Sequence, residues 1–275
     1  MKIILATTDF SPNSENALYY AAELAQAVGA SLYLMHVYSI PIPVSEAPVP
    51  VVDVSQIEED ALTQLNKFKR KINQQIGNGL PVELILRSGN VNWEIEEFCK
   101  QLQPYFVVMG AESSGPVGRA LFGAKTLNAI SRLEWPVMII PPGVSFTNLQ
   151  RIGLACDFRQ VLDTVPVNEI RDLVKKFNAE FHILHASMDS TDSMNPETVE
   201  ESAWIEDLLG DLHPKYHFIK DKNTDKAIAR FADDFQLDLL IVIPKKHGIL
   251  ERIFEHSQSK SLVLHSHIPV MSIHE

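Results

Sequence analysis

Phe106 to Pro141 reads FVVMGAESSGPVGRALFGAKTLNAISRLEWPVMIIP, and its grammar decides the fold. An apolar run over 106–109 is followed by a glycine-bearing loop, a helical pattern over 124–133 and a second apolar run over 137–140. Both runs are apolar throughout rather than alternating, which is the pattern of strands covered on both faces, as in parallel sheets. A loop that leaves such a strand and enters a helix presents free backbone N–H groups, a favourable place for phosphate. A ligand is therefore expected at this loop.

The same rhythm runs backwards from this block. Lys2 to Thr8 is an apolar run ending in Asp9, and Ser11-Pro12-Asn13-Ser14 is helix-start chemistry. From Glu15 to Val28 apolar residues recur at helical spacing until Gly29 closes the segment, and Ser31 to Val37 reads as a second strand. Pro41, Pro43, Pro48 and Pro50 mark Ser39 to Val54 as an extended, exposed excursion. Gln56 to Ile76 reads as an amphipathic helix, Val82 to Leu86 as a strand and Asn92 to Leu102 as a helix. Strand, helix and strand joined by short links give parallel pairs with right-handed crossovers.

At Arg151 the pattern begins again. Lys2 to Phe10 is echoed by Arg151 to Phe158, ending in Asp157-Phe158 as the first copy ends in Asp9-Phe10. Leu32 to Val37 is echoed by Phe181 to Ala186, with His36 and His185 equivalent. Tyr105 to Met109 is set against Leu239 to Ile243, and Pro136-Val137-Met138 against Pro269-Val270-Met271. The fold class expected is α/β, two tandem flavodoxin- or Rossmann-like domains, each a five-stranded parallel sheet with helices on both faces. The domains are 1–145 and 146–275. Ligands of such sheets sit beyond the carboxyl ends of the strands, where strand order reverses, so Asp9, Val37 and Gly110 share a crevice.

Bulk properties narrow the classes. The chain has 275 residues, 45% of them hydrophobic, and a formal net charge of −11, against the clustered basic surface that nucleic acid requires. Cys99 and Cys156 have no second thiol nearby in sequence and read as buried thiols of a reducing compartment. No run approaches the ~20 apolar residues that span a bilayer, and the start lacks signal-peptide character. A cytoplasmic protein with no nucleic-acid or membrane partner is expected.

These residues resemble a known family. The strand ending in Asp9, the His36-Val37 ending, Met109-Gly110, and the tail from Phe122-Gly123 to Pro136-Val137-Met138-Ile139-Ile140-Pro141 are similar to a universal stress protein domain, and the repeat resembles a tandem of two. The resemblance implies an ATP-binding loop of three spaced glycines and a hydroxyl. By position these fall on Gly110, Ser113, Gly123 and Ala124, so the middle glycine and the hydroxyl are missing. Lys125 stands next and offers a point charge to phosphate. The resemblance further places Asp9 at the base or ribose, Val37 against the adenine, and Met109-Gly110 beside them. The candidate crevice for ATP or another adenine nucleotide is thus Asp9, Val37, Met109, Gly110, Ser113, Gly123 and Lys125. In the second half Pro244 is set opposite Gly110, and Glu255 falls near the third glycine, so no nucleotide is expected there.

No Gly-x-Ser-x-Gly elbow or Walker-type run is present, so no catalytic residue is assigned. His256, His265, His267 and His274 lack the close Cys or carboxylate set of a zinc site, and no metal is assigned. Two readings follow: a non-catalytic stress-response or regulatory protein with an eroded loop, or an ATP-binding protein with slow or no hydrolysis using the first crevice only. The resemblance implies pairing of Val137–Ile140 with Val270–Ile273, an intramolecular pseudo-dimer, with further homo-oligomers left open.

Overall fold

A computed structural model describes residues 2–40, 53–77, 79–111, 133–158, 161–187, 196–243 and 267–273. Its first half contains β1 (Ile3–Thr8), α1 (Pro12–Val28), β2 (Ser31–Tyr38), α2 (Val54–Ile76), β3 (Val82–Ser88), α3 (Val91–Leu102), β4 (Phe106–Gly110) and β5 (Val137–Ile140). The second contains β6 (Arg151–Ala155), α4 (Val161–Thr164), α5 (Val167–Phe177), β7 (Glu180–Ser187), α6 (Pro196–Leu209), β8 (Lys215–Lys220), α7 (Thr224–Asp234), β9 (Leu239–Val242) and β10 (Val270–Ser272). The predicted strands and helices of the first half are present with ends shifted by a few residues. Of the proline-rich excursion expected over 39–54, residues 41–52 lie outside the described residues, as do residues 124–132 of the helix expected over 124–133.

Each half orders its strands 3-2-1-4-5, all parallel, and the halves join into one ten-stranded sheet, β3-β2-β1-β4-β5-β10-β9-β6-β7-β8. The join is antiparallel: Val270 faces Ile139, Met271 faces Met138 and Ser272 faces Val137. A single buried cluster runs across this seam, from Ile4, Phe106 and Met138 to Ile241 and Met271. This is the pairing of Val137–Ile140 with Val270–Ile273 that the resemblance implied, and burial of the two last strands against each other makes the two five-stranded sheets one.

Equivalent residues repeat their local chemistry. Phe10 and Phe158 are both left-handed, at φ 65° and 50°. The His36 Nδ1–H donates to the Thr8 carbonyl at 2.7 Å, and the His185 Nδ1–H donates to the Cys156 carbonyl at 3.0 Å. Phe10 stacks on His36 and Phe158 tilts against His185. These histidines hold strand ends, as their equivalence predicts. The sheet register corrects one correspondence. Ile4 pairs with Phe106 and Ile152 with Leu239, so the counterpart of Gly110 is Ile243 rather than Pro244. The run Leu239–Ile243 is uniformly apolar and carries no marker of its phase, so only the hydrogen-bond ladder fixes it.

Two buried polar groups yield stability predictions. Ser272 is 1% exposed in the seam, and its hydroxyl makes no hydrogen bond among the described residues. Removing an unsatisfied buried hydroxyl relieves a desolvation cost, so Ser272→Ala is expected to stabilise the protein by about 1 kcal/mol in urea denaturation. On the β7–β8 edge, His182 Nδ1 lies 3.0 Å from His217 Nε2, against the rings of Phe231 and Phe235. His182 Nε2 sits 2.9 Å from the Glu180 carboxylate, which Lys215 also pairs at 2.6 Å. Burial pushes both imidazoles below the usual value of 6.5; Glu180 opposes the shift at His182, while His182 and Lys215 add to it at His217. The unfolded chain therefore takes up protons near pH 6.5 that the folded one resists, and stability falls as pH drops through that value. Thermal midpoints are expected to decline from pH 7.5 to 5, and His217→Phe to flatten the decline.

Candidate functional site

The strand order of the first half reverses between β1 and β4, and a crevice opens there at the carboxyl ends of the strands. Thr7 and Thr8 of β1 with Asp9 just after it, Met35 and Val37 of β2, and Met109 and Gly110 of β4 with Ala111 just after it line the crevice. Ser11 at the cap of α1, Ser14 within it, and Val91 and Ile95 of α3 complete the wall. Four predicted residues thus meet at one place: Asp9, Val37, Met109 and Gly110. Ser113, Gly123 and Lys125 lie outside the described residues.

The helix start beside the crevice is fixed by its own side chains. Ser11 caps α1, its hydroxyl accepting from the Ser14 N–H at 3.2 Å, and Pro12 follows where a missing N–H costs nothing. The Thr8 and Ser14 hydroxyls share a hydrogen bond of 2.9 Å, and the Asn13 amide donates to the Ala111 carbonyl at 3.0 Å. Gly110 lies against this turn. A Cβ there would stand 2.6 Å from the Asn13 carbonyl oxygen, so the packing of α1 by itself calls for a glycine here.

Asp9 is exposed at the mouth and accepts from the Ser11 N–H at 3.0 Å. Desolvation pushes its carboxyl up, but the bonds from Ser11 and Ser14 outweigh that and hold it below the ordinary carboxylate range. An ionised acceptor suits a ribose hydroxyl or an exocyclic amine, and the apolar surface of Val37, Met109 and Ile95 suits the face of a base. None of the described lining residues is basic, and Asp9 sets a negative charge beside the α1 N-terminus. The crevice is open on one side and offers about 70 Å³ of water-accessible space.

The second half builds this corner differently. Ile243, 7% exposed, stands in the place of Gly110 and packs into the main core. Pro166 interrupts the helix that is continuous in the first half, leaving α4 and α5. The Val161 N–H at the start of α4 is taken by the Glu201 carboxylate at 2.8 Å, a charge in the position an anion would need.

Other reactive groups are quiet. The Cys99 thiol is buried, which pushes it up to about 12 with a further contribution from Glu96, far from a reactive thiolate. Among the described residues no group of three or more His, Cys, Asp or Glu is placed to hold a metal, and His256, His265 and His274 lie outside them. No helix of the described residues is long and apolar enough to cross a membrane. Sequence reasoning missed the His182–His217 pair, whose members lie 35 residues apart on neighbouring strands.

The family model described as the universal stress protein family matches residues 1–141 and again 148–274. A sequence search of the curated proteins found no match. A universal stress protein from Archaeoglobus fulgidus DSM 4304 shares the fold with a TM-score of 0.74 at 21% identity, over 99% of this chain and 98% of that one. A putative universal stress protein from Pseudomonas aeruginosa UCBPP-PA14 aligns at 0.62 and 12% identity, over 100% of this chain and 93% of that one. A shorter universal stress protein, solved in complex with cAMP, aligns with 52% of this chain and 98% of its own at 16% identity and a TM-score of 0.40.

Proposed function

The chain belongs to the universal stress protein family as a tandem of two such units, and on that premise we propose that it is a non-catalytic stress-response or regulatory protein with a reduced nucleotide site. The boundary falls at 145/146, in the linker between β5 and β6. One observation carries the reading: the crevice of the first half offers about 70 Å³ of water-accessible space and presents no described cation, while Ile243 and Glu201 take up the corresponding corner of the second. The protein as purified is expected to carry no adenine nucleotide by mass spectrometry and to give no heat with ATP in calorimetry.

A second reading is favoured by the ionised Asp9 carboxylate beside the apolar Val37 and Met109: ATP binds in the first crevice alone, with slow or no hydrolysis. It predicts one site per chain, filled and abolished by Val37→Trp, and about fivefold tighter binding for Ala124→Ser, the scale of one regained hydrogen bond of about 1 kcal/mol. Binding of that kind overturns the nucleotide-poor reading; its absence at about 1 mM ATP overturns this one.

A further inference from the structure

The antiparallel seam relates the two halves by an approximate two-fold axis, so every surface at their junction exists twice. Backbone bonds establish the correspondence. The Tyr105 N–H donates to the Ile3 carbonyl as the Asp238 N–H donates to that of Arg151, and the Val107 N–H to Pro136 as the Leu240 N–H to Pro269. Gln103 and Gln236 are both left-handed, at φ 49° and 50°. A groove bounded by Leu237, Asp238, Ile268, Pro269 and Tyr20 is thus the counterpart of one bounded by Pro104, Tyr105, Trp135, Pro136 and Glu169.

The two grooves differ in what fills them. The linker 144–148 lines the first, with the Phe146 ring edge-on to Tyr20 at 5.3 Å and 6.0 Å from Phe177, and about 110 Å³ is left. The Gln150 and Arg151 N–H groups complete the seat by donating to Asp238 at 2.7 and 2.8 Å. The second groove holds no described segment and has about 640 Å³ of space, within the range of ligand pockets. Trp135 and Tyr105 supply its aromatic surface, with Trp135 Nε1–H held by Gln103 at 3.2 Å. The buried Tyr105 hydroxyl makes no hydrogen bond of ordinary geometry among the described residues. Glu134, Glu169 and Asp172 bring three carboxylates against one ammonium, that of Lys2, which lies 3.8 Å over the Tyr105 ring and 3.3 Å from Asp172.

We propose that this open groove docks an extended peptide segment of a partner protein, about five residues long, with a bulky apolar or aromatic anchor flanked by Lys or Arg. The linker shows the backbone course and the anchor, since the same architecture already holds Val144–Asn148 across the axis. The surplus of carboxylates sets the sign of the flanking charge. Main-chain contacts and one anchored side chain are the usual basis of such recognition.

The test uses the full chain with Trp93→Phe and Trp204→Phe, both at exposed tryptophans, so that Trp135 alone reports. Three synthetic peptides are titrated: the linker sequence 142–150, a version with Lys at the Ser145 and Thr147 positions, and one with Glu there. The basic peptide is expected to change Trp135 emission saturably and to bind at least about tenfold more tightly than the acidic one. Replacing its Phe by Ala should abolish the change. Glu169→Lys with Asp172→Lys, on exposed positions, should reverse the charge preference while thermal midpoint and circular dichroism stay the same. No saturable signal up to about 1 mM, or a charge preference that the double reversal leaves unaltered, overturns the proposal. So does a peptide-free dimer that the reversal dissociates in sedimentation, which would give the groove to a second copy.

Discussion

Gly110→Ala is expected to destabilise the protein by about 2 kcal/mol or more, read as a lower urea midpoint at unchanged slope. The backbone at Gly110 is not left-handed, so alanine meets no conformational barrier, and by itself the change would add a few tenths of a kcal/mol through the unfolded chain. Space decides the sign. The new Cβ would lie 2.6 Å from the Asn13 carbonyl oxygen, 2.8 Å from its carbon and 2.9 Å from the Ser14 nitrogen. All three are backbone atoms of a helix turn held by the Ser11 cap and by the Asn13 bond to Ala111, so no flexible side chain can move aside. Gly79, with nothing within 4 Å of its Cβ position and no left-handed φ, is the control; Gly79→Ala should stay within about 0.5 kcal/mol of the parent. A Gly110→Ala midpoint no lower than that of Gly79→Ala would refute the packing account.

The same residue shows how far the sequence could be read. Its strand, its place at the switch point and its company with Asp9, Val37 and Met109 follow from apolar runs and strand order, which local patterning records. Its contact with α1 does not, because that contact joins positions 97 residues apart and depends on how close a helix approaches a sheet. The phase of Leu239–Ile243 escaped for a related reason: five apolar residues in a row look alike at every register, and only pairing with β6 distinguishes Ile243 from its neighbour. His36 and His185 were legible because the repeat displays them twice in the same setting. His182 was not, since its repeat equivalent is Tyr33 and its partner His217 lies on the edge strand. The paired grooves needed the axis itself, which appears only once β5 lies against β10.

Met271→Asp is expected to cost about 5 kcal/mol at pH 8 and to unfold both halves together. Met271 is fully buried in β10, facing Met138 of β5 on one side and Ile241 of β9 on the other. The substitution removes a core side chain, worth about 2–5 kcal/mol, and puts a carboxyl where no described group can pair it. Burial raises the pKa of such a carboxyl, so the folded state binds its proton more tightly than the unfolded chain, and the penalty shrinks as pH falls. Met271→Asn should lack that pH dependence, which separates charge from lost volume. The seam also predicts how the damage spreads. Ile4, Phe106 and Met138 share one buried cluster with Ile241 and Met271, so neither half closes its core without the other. Trp93 on α3 reports the first half and Trp204 on α6 the second, and single-tryptophan versions are expected to lose signal at one common urea midpoint, lowered equally by Met271→Asp. If Trp204 unfolds early while Trp93 keeps the parent midpoint, the sheet is continuous in hydrogen bonding yet divided in stability, and the seam is an interface between independent domains.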